Sequence, residues 1–244
     1  MIVFAALIPN SPLLVKRSGN TAEKTIAAIS DIEQQMEKTQ PETLLIISQE
    51  AKHFPNTYTL LHADKFTESL KRLGFISEHL TYPADIELLA KLHTFSRHEK
   101  IPLRSVHSEL LDKGSGLALR MLKSQKRKYN IITIGSSDQS VQNHYDFGHQ
   151  LKELLHSSPR RIAIIVTGDA GSETTARGMI ASLANRSIPT LVHTAESNGP
   201  DAETLCKPLA VGYGLLHNFP LETHITCDEI FSDHSLISAV LFSD

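Results

Sequence analysis

The sequence contains no tryptophan, only two cysteines and no large excess of either charge. Cys206 and Cys227 are too few for a disulfide-stapled scaffold and form no Cys-x-x-Cys pair, so we expect small buried thiols. The 24 basic and 27 acidic side chains leave a net charge of -3 without a charged arm or tail, which argues against nucleic acid and anionic membranes as partners. A small molecule or a partner protein is the better expectation.

Long hydrophobic runs are also missing. The longest, such as 44–47 and 162–166, have the length of strands, whereas a membrane span needs about 20 residues. The segment 1–5 lacks the basic region and cleavage site of a signal peptide, so we expect a soluble, cytoplasmic protein. With 244 residues, 41 % of them hydrophobic, and no linker-like tract, the chain is predicted to form one domain over 1–244.

Short β-branched runs alternate with segments of helical periodicity, which predicts an α/β fold with a mostly parallel central sheet flanked by helices. The predicted strands are 2–8, 44–48, 102–106, 130–134 and 161–166, and the predicted helices are 21–39, 84–98, 116–122, 138–156, 172–183 and 200–217. The stretch 51–65 is interpreted as a loop with a short extended piece around Tyr58, and 222–231 with 236–242 as a terminal hairpin or two edge strands.

Polar turns follow three of these strands. They read Pro-Asn-Ser-Pro at 9–12, Ser-Gln-Glu at 48–50 and Thr-Gly-Asp-Ala-Gly-Ser at 167–172, and a fourth, Asp-Lys-Gly-Ser-Gly at 112–116, precedes a short helix. Ligands of open α/β sheets bind beyond the carboxyl ends of the strands, so these turns are the first candidates for a site. The alternative is that Asn, Asp, Gly, Pro and Ser occur here only because turns need them.

The four turns, in this order, resemble those of the class III extradiol ring-cleavage dioxygenases, in particular the LigB-like group that includes the Memo-like proteins. In that family the turns read Pro-His-x-Pro, Ser-x-His, Asp-His-Gly and Ser-Gly-Asp-x-Ser-His, and 143–151 matches a family helix of the pattern x-His-Tyr-x-x-Gly-x-x-Leu. The resemblance runs from Ile2 to Phe242 and implies the LigB-like dioxygenase fold. For active relatives it also implies ferrous iron held by two histidines and one carboxylate, and it suggests a homodimer.

The residues around the family's metal-binding and proton-transferring histidines are present in this sequence, but those histidines are replaced. The resemblance places the family's first metal histidine on Asn10, its second on Glu50, the histidine of its third turn on Lys113 and its proton-transferring histidine on Ser172. An amide oxygen is a weak ligand, a single carboxylate anchors little, and a serine hydroxyl cannot replace an imidazole as acid and base. We therefore predict a degenerate metal site without a cofactor.

Few residues are placed to substitute for the missing ligands. His53, three residues after Glu50, and His107, after a predicted strand, are the two histidines that qualify. The family's third ligand, a glutamate near the start of the last long helix, aligns close to Pro200, so Asp201 and Glu203 are neighbouring candidates.

The charge of Lys113 is the main argument against a metal ion at this site. An ammonium about 4 Å from a carboxylate gains about 4 kcal/mol at an effective dielectric constant near 20, whereas beside a divalent cation it meets roughly twice that in repulsion. We therefore expect Lys113 to reach the position of the lost iron and pair with Glu50; alternatively, it points into solvent. The predicted ligand pocket comprises Asn10, Glu50, Lys113, Asp169 and Ser172, of which the candidate catalytic residues are Lys113, Asp169 and Ser172.

These substitutions predict a protein that does not cleave catechols and instead binds a small ligand or a partner protein. Two enzymatic alternatives stay open. A rearranged metal site using Glu50 with His53 or Asp201 would give an active aromatic ring-opening dioxygenase, and Lys113 as an amine or acid would support metal-independent chemistry. Ser172 as a hydrolase nucleophile is disfavoured because the sequence has no G-x-S-x-G elbow.

Overall fold

The computed structural model describes residues 1–15, 22–50, 54–68, 70, 80–122, 129–230 and 235–244. The strands in these ranges are β1 Ile2–Ile8, β2 Thr43–Ser48, β3 Tyr58–His62, β4 Lys65–Thr67, β5 Thr81–Pro83, β6 Leu103–His107, β7 Asn130–Gly135, β8 Ile162–Thr167, β9 His224–Ile230 and β10 Ser235–Ser243. The helices are α1 Glu23–Lys38, α2 Ile86–His98, α3 Lys113–Met121, α4 Val141–His156, α5 Glu173–Asn185, α6 Ile188–Asn198 and α7 Pro200–Leu215, and a 3₁₀ turn spans Pro12–Leu14.

Eight strands form one mostly parallel sheet in the order β6-β3-β7-β2-β8-β1-β10-β9. The four central strands β7, β2, β8 and β1 are parallel, so their carboxyl ends lie along the same edge of the sheet. On one side β3 runs antiparallel to β7 and parallel to β6, and on the other β10 and β9 continue antiparallel. This sheet confirms the predicted α/β class.

The central strands are apolar on both faces because helices cover the sheet. Every residue of β1, β2 and β8 is buried, which explains why their sequences are continuous runs of Ile, Leu, Val and Ala rather than alternating patterns. The outer strands β6 and β9 are only partly buried and carry the charged residues expected at a sheet edge. The sequence therefore distinguishes the centre of the sheet from its rims.

Helices α4 and α7 pack closely against each other. A Cβ atom at Gly148 would lie 2.2 Å from the carbonyl oxygen of Val211, and one at Gly214 would lie 2.1 Å from that of Tyr145. Any larger side chain at either position would force the helices apart. The two glycines therefore set the distance between the helices, and this contact brings side chains of α4 beside the end of α7.

The structure corrects several predicted elements. The extended piece predicted around Tyr58 is strand β3, and it lies inside the main sheet with Tyr58 and Leu60 buried rather than in a loop. Helix α6 was not predicted, and neither was the small antiparallel sheet of β4 and β5. Helix α3 begins at Lys113 rather than at residue 116, because Asp112 caps it by accepting a hydrogen bond from the Ser115 backbone.

No helix within the described ranges is long and apolar enough to cross a membrane. This agrees with the absence of long hydrophobic runs in the sequence.

Candidate functional site

The carboxyl ends of β1, β8 and β2 bring three of the predicted site residues together. Thr167 at the end of β8 is in register with Ile8 on one side and with Ser48 on the other. Asn10, Glu50 and Asp169 each follow one of these strand ends by two residues. Parallel pairing therefore brings three separate sequence motifs together at the carboxyl ends of the strands, and we call this polar cluster the strand-end cleft.

Lys113 enters this cleft from the start of α3 and pairs with Glu50. Its Nζ atom lies 2.9 Å from Oε1 of Glu50, so the predicted ion pair is confirmed. The same Oε1 accepts a hydrogen bond from Nδ2 of Asn10 at 3.3 Å. The backbone N–H of Asn10 donates to Oδ1 of Asp169 at 3.1 Å, which connects all four residues.

Burial differs across this set of residues. Asn10 is only 4 % exposed, whereas the side chains of Lys113 and Glu50 are 41 % and 30 % exposed. The ion pair therefore forms the solvent-facing mouth of the cleft and Asn10 its inner wall. At this exposure, water screens the attraction, so the pair itself contributes at most about 1 kcal/mol to folding stability.

The position of Lys113 is fixed by a hydrogen-bond network under the cleft. Oδ1 of Asp112 accepts from Oγ of Ser48 at 2.7 Å and from the backbone N–H of Ser115 at 2.9 Å, while Oδ2 accepts from Oγ of Ser115 at 2.6 Å. Oγ of Ser48 in turn accepts from the backbone N–H of Glu50 at 3.1 Å. One carboxylate thus joins the end of β2 to the first turn of α3.

Gly114 lies between these groups and leaves no room for a side chain. A Cβ atom there would lie 2.8 Å from Oγ of Ser48, 2.9 Å from Nδ2 of Asn10 and 3.2 Å from Oδ1 of Asp112. The close approach of α3 to the strand ends, which places Lys113 at the mouth of the cleft, therefore requires glycine at this position. Sequence reasoning overlooked Asp112, Ser48 and Ser115 as supports, although Asp directly before a helix is typical of an N-cap.

Ser172, in the turn between β8 and α5, has a structural role. It is exposed and caps α5, with its Oγ accepting from the backbone N–H of Thr175 at 3.3 Å and lying 3.0 Å from Oγ1 of that residue. These contacts account for a serine at this position without any chemistry. A catalytic role for Ser172 stays a prediction.

The start of α7 lies against the same edge of the sheet. Oγ1 of Thr204 donates to the carbonyl oxygen of Asp169 at 3.1 Å and to that of Asp201 at 2.7 Å. Asp201 is exposed, and Glu203 pairs with Lys207 at 2.6 Å, where the lysine side chain is only 6 % exposed. A second lysine, Lys207, thus pairs with Glu203, the carboxylate near the expected third-ligand position. Sequence reasoning did not anticipate this pair.

Of the two histidines that were candidates to replace the missing ligands, the structure describes only His107. His53 lies outside the described residues. His107 is the last residue of β6, which runs parallel to β3 and therefore opposite to β7. His107 thus lies at the end of the sheet opposite to the carboxyl ends of the central strands. The suggestion that it could replace a cleft ligand is wrong, because it requires β6 to run in the same direction as those strands.

The residues of the cleft do not fit a resident metal ion. Oε1 of Glu50 already accepts from an ammonium and an amide, and because this carboxylate accepts, Asn10 must present its nitrogen, which is not a ligand, rather than its oxygen. Across the described ranges, no group of three or more His, Cys, Asp or Glu side chains is arranged to hold a metal. The donor set lacks the imidazoles that a 2-His-1-carboxylate iron centre uses.

The fold and cleft define an α/β protein with a polar site at the carboxyl ends of parallel strands. The model of the family described as the catalytic LigB subunit of aromatic ring-opening dioxygenase matches residues 5–175, well over half of the chain. The chain therefore belongs to the LigB family. The match includes all four turns that build the cleft.

Comparison of structures supports the same architecture. The crystal structure of the uncharacterized protein JW3007 from Escherichia coli K12 superposes with a TM-score of 0.73, covering 98 % of this chain and 100 % of that one. The two sequences are 13 % identical, so this likeness shows a shared fold alone. A search of curated proteins finds no match to the sequence.

Proposed function

We propose that this protein is a LigB-family member that does not open aromatic rings and acts as a metal-independent binding protein for a small polar molecule. The observation that carries the proposal is the contact between Lys113 and Glu50 at 2.9 Å in the cleft where relatives are expected to hold iron. A cation that belongs to the chain neutralises the carboxylate there. The Glu50 carboxylate therefore needs no exchangeable ion to balance its charge.

The chemistry of ring opening supports this view. Extradiol cleavage needs open coordination positions on iron and a group near neutral pKa that takes a proton from the catechol and returns one later. At the matching positions this chain has Asn10, Glu50, Lys113 and Ser172. These residues supply neither the iron ligands nor the acid and base that ring opening needs. They offer an amide, an ion-paired carboxylate with its ammonium partner, and a hydroxyl that caps a helix.

The cleft retains groups that can recognise a ligand. Lys113 and Glu50 at the mouth are partly exposed and each can form further hydrogen bonds, while Asp169 lies beside Asn10 at the inner wall. Because the exposed ammonium donates, the carboxylates accept, and Lys113 and Glu50 already neutralise each other, we infer that the matching ligand carries hydroxyl or carbonyl groups. A partner protein inserting a polar side chain would use the same contacts and is an outcome that the binding experiment separates.

The catalytic part of the proposal is tested with catechol under air. Purified without chelators, the protein is expected to contain less than about 0.1 equivalent of transition metal in the cleft and, with added Fe²⁺, to produce no yellow ring-opened product. Iron retained at one equivalent together with ring opening would contradict the proposal and favour a rearranged site with Glu50 and His53 or Asp201. Trapping of a carbonyl compound on Lys113 by borohydride would instead favour amine chemistry.

The binding part is tested by thermal unfolding with a panel of uncharged hydroxylated aromatics and aliphatic hydroxy ketones. A ligand at 100 times its Kd adds about 2.7 kcal/mol, which raises the Tm of a chain of this length by roughly 5–10 °C. We expect the shift to be lost in Lys113→Met and Glu50→Gln and kept in Lys91→Met, which removes an exposed ion pair on α2. No stabilising compound, or equal shifts in all variants, would contradict small-molecule binding at this cleft.

A further inference from the structure

A cluster of two histidines and a tyrosine lies at the opposite end of α7 from the strand-end cleft. The ring centroids of His149, on α4, and His217, just after α7, are 4.4 Å apart with an interplanar angle of 50°. Thr204 contacts the cleft, and His217 follows thirteen residues later, which corresponds to about 20 Å along a helix. The cluster is therefore spatially separate from the cleft and is not used by the proposed function.

We propose that His149 and His217 form a binding site for a divalent transition-metal ion of the Cu²⁺ or Ni²⁺ class. Imidazole nitrogens are the protein ligands that these ions prefer, and the two rings come from helices whose spacing is fixed by Gly148 and Gly214. The site thus rests on a rigid contact between α4 and α7, although the His149 side chain itself faces solvent. Water molecules would complete the coordination sphere.

The spacing of the two rings is compatible with one shared metal ion. With a metal–nitrogen bond of about 2.0 Å and an imidazole radius of about 1.2 Å, each ring centroid lies about 3.2 Å from a shared ion. Ligands at 90° then place the centroids about 4.5 Å apart, and ligands at the tetrahedral angle place them about 5.2 Å apart. The observed 4.4 Å is closer to the right-angled arrangement, and Cu²⁺ is the divalent first-row ion that nitrogen ligands generally bind most tightly.

Tyr145 orients one of the two ligands. Its hydroxyl oxygen lies 2.7 Å from Nδ1 of His217, and when Nδ1–H donates to this oxygen, Nε2 carries the lone pair that binds a metal. Metal-binding histidines are commonly held by such a second hydrogen bond. Burial, with smaller contributions from His149 and Lys152, lowers the pKa of His217 and so favours the neutral ring that a metal requires.

Lys152 opposes a cation at this site and therefore provides a test of opposite sign. It lies one turn after His149 on α4, its charge lowers the pKa of His217, and its Nζ is 3.8 Å from Glu153. Removing this positive charge is expected to strengthen metal binding. Removing Tyr145 is expected to weaken it, because the orientation of His217 is lost.

The experiment titrates the full chain with aqueous Cu²⁺ and follows binding by calorimetry and electron paramagnetic resonance. We expect one Cu²⁺ whose spectrum shows nitrogen coupling, and at least a 10-fold loss of its affinity in the double variant His149→Ala, His217→Ala. The matched control His93→Ala, His98→Ala removes two exposed histidines that lie five residues apart on α2 and cannot share an ion. This control is expected to keep the site.

Two further variants separate a built site from general surface binding. Tyr145→Phe is expected to lower Cu²⁺ affinity about 10-fold, the lower end of the range for orienting partners, and Lys152→Met to raise it about 3-fold at low salt. Equal Cu²⁺ affinity in the wild type and the His149, His217 double variant would overturn the proposal. A spectrum with oxygen ligands alone, or the same loss in the α2 control, would also overturn it.

Discussion

The proposal that Lys113 stands in place of a bound metal predicts that removing this lysine gives the strand-end cleft affinity for a divalent cation. Lys113→Met keeps much of the side-chain volume and deletes the charge that pairs with Glu50. The Glu50 carboxylate stays beside the side-chain amide of Asn10, which can then turn its oxygen towards the cleft, and the Asp169 carboxylate stays at the backbone N–H of Asn10. These hard oxygen donors suit Mn²⁺, which serves as the probe.

The size of the effect follows from the repulsion that Lys113 imposes on the ion. An ammonium about 4 Å from a divalent cation costs about 8 kcal/mol at an effective dielectric constant of 20 and about 2 kcal/mol in water. Because the side chains of Lys113 and Glu50 are 41 % and 30 % exposed, we take the water value as the minimum. It corresponds to about a 30-fold gain in Mn²⁺ affinity at low ionic strength, falling to about 10-fold at 0.15 M salt.

The assay measures free Mn²⁺ by electron paramagnetic resonance, in a background that carries His149→Ala and His217→Ala so that the other proposed site does not contribute. Lys91→Met is the matched control, because Lys91 forms a comparable exposed ion pair with Glu87 at 2.7 Å on α2. A change of less than 3-fold in Lys113→Met, or an equal change in the control, would refute the idea that lysine and metal compete for one position.

Three further predictions concern the supports of the cleft and the thiols. Gly114→Ala is expected to destabilise the fold by about 1–2 kcal/mol in urea unfolding, since a Cβ atom 2.8 Å from Oγ of Ser48 disrupts its bond to Asp112 despite the better helix propensity of alanine. Gly116→Ala, whose Cβ would meet its nearest neighbour at 3.3 Å, is the control and should be within about 0.5 kcal/mol of the wild type. Ser172→Ala should cost about 1 kcal/mol as a lost helix cap while leaving ligand affinity in the cleft unchanged; a loss of affinity without a loss of stability would argue for a direct role. Burial raises the pKa of Cys206 to about 12, so this thiol should react with a disulfide reagent at pH 8 only in denaturant; rapid labelling of the native protein would contradict its buried position.

The sequence was sufficient to predict the central parallel strands and the polar turns at their ends. Continuous apolar runs reveal the buried parallel strands, and polar turns at their ends reveal the cleft, because parallel pairing brings those ends together. The ion pair between Lys113 and Glu50 was predictable because the resemblance to the LigB-like family places both residues at histidine positions of one site, where a cation and an anion then meet. The strands and their ends depend on local pattern plus one rule of topology, whereas the ion pair depends on the resemblance.

Other features depend on direction and register, which local pattern does not encode. Because β3 and β6 run opposite to β7, His107 lies at the end of the sheet away from the cleft. No residue within either strand indicates this direction. The pairing of His149 with His217 arises from the crossing of α4 and α7, which are far apart in sequence. The role of Asp112 was readable as a helix cap, but its bond to Ser48 depends on how α3 docks against β2.

The central claim is that the chain's own lysine stands where relatives are expected to keep an ion. A crystal structure of the wild-type protein soaked with Mn²⁺, with anomalous data collected at the manganese edge, tests it most directly. We predict Nζ of Lys113 within hydrogen-bonding distance of Glu50, as in the present contact of 2.9 Å, and no anomalous peak between Asn10 and Glu50. A full-occupancy peak there, with Lys113 turned away into solvent, would contradict the account.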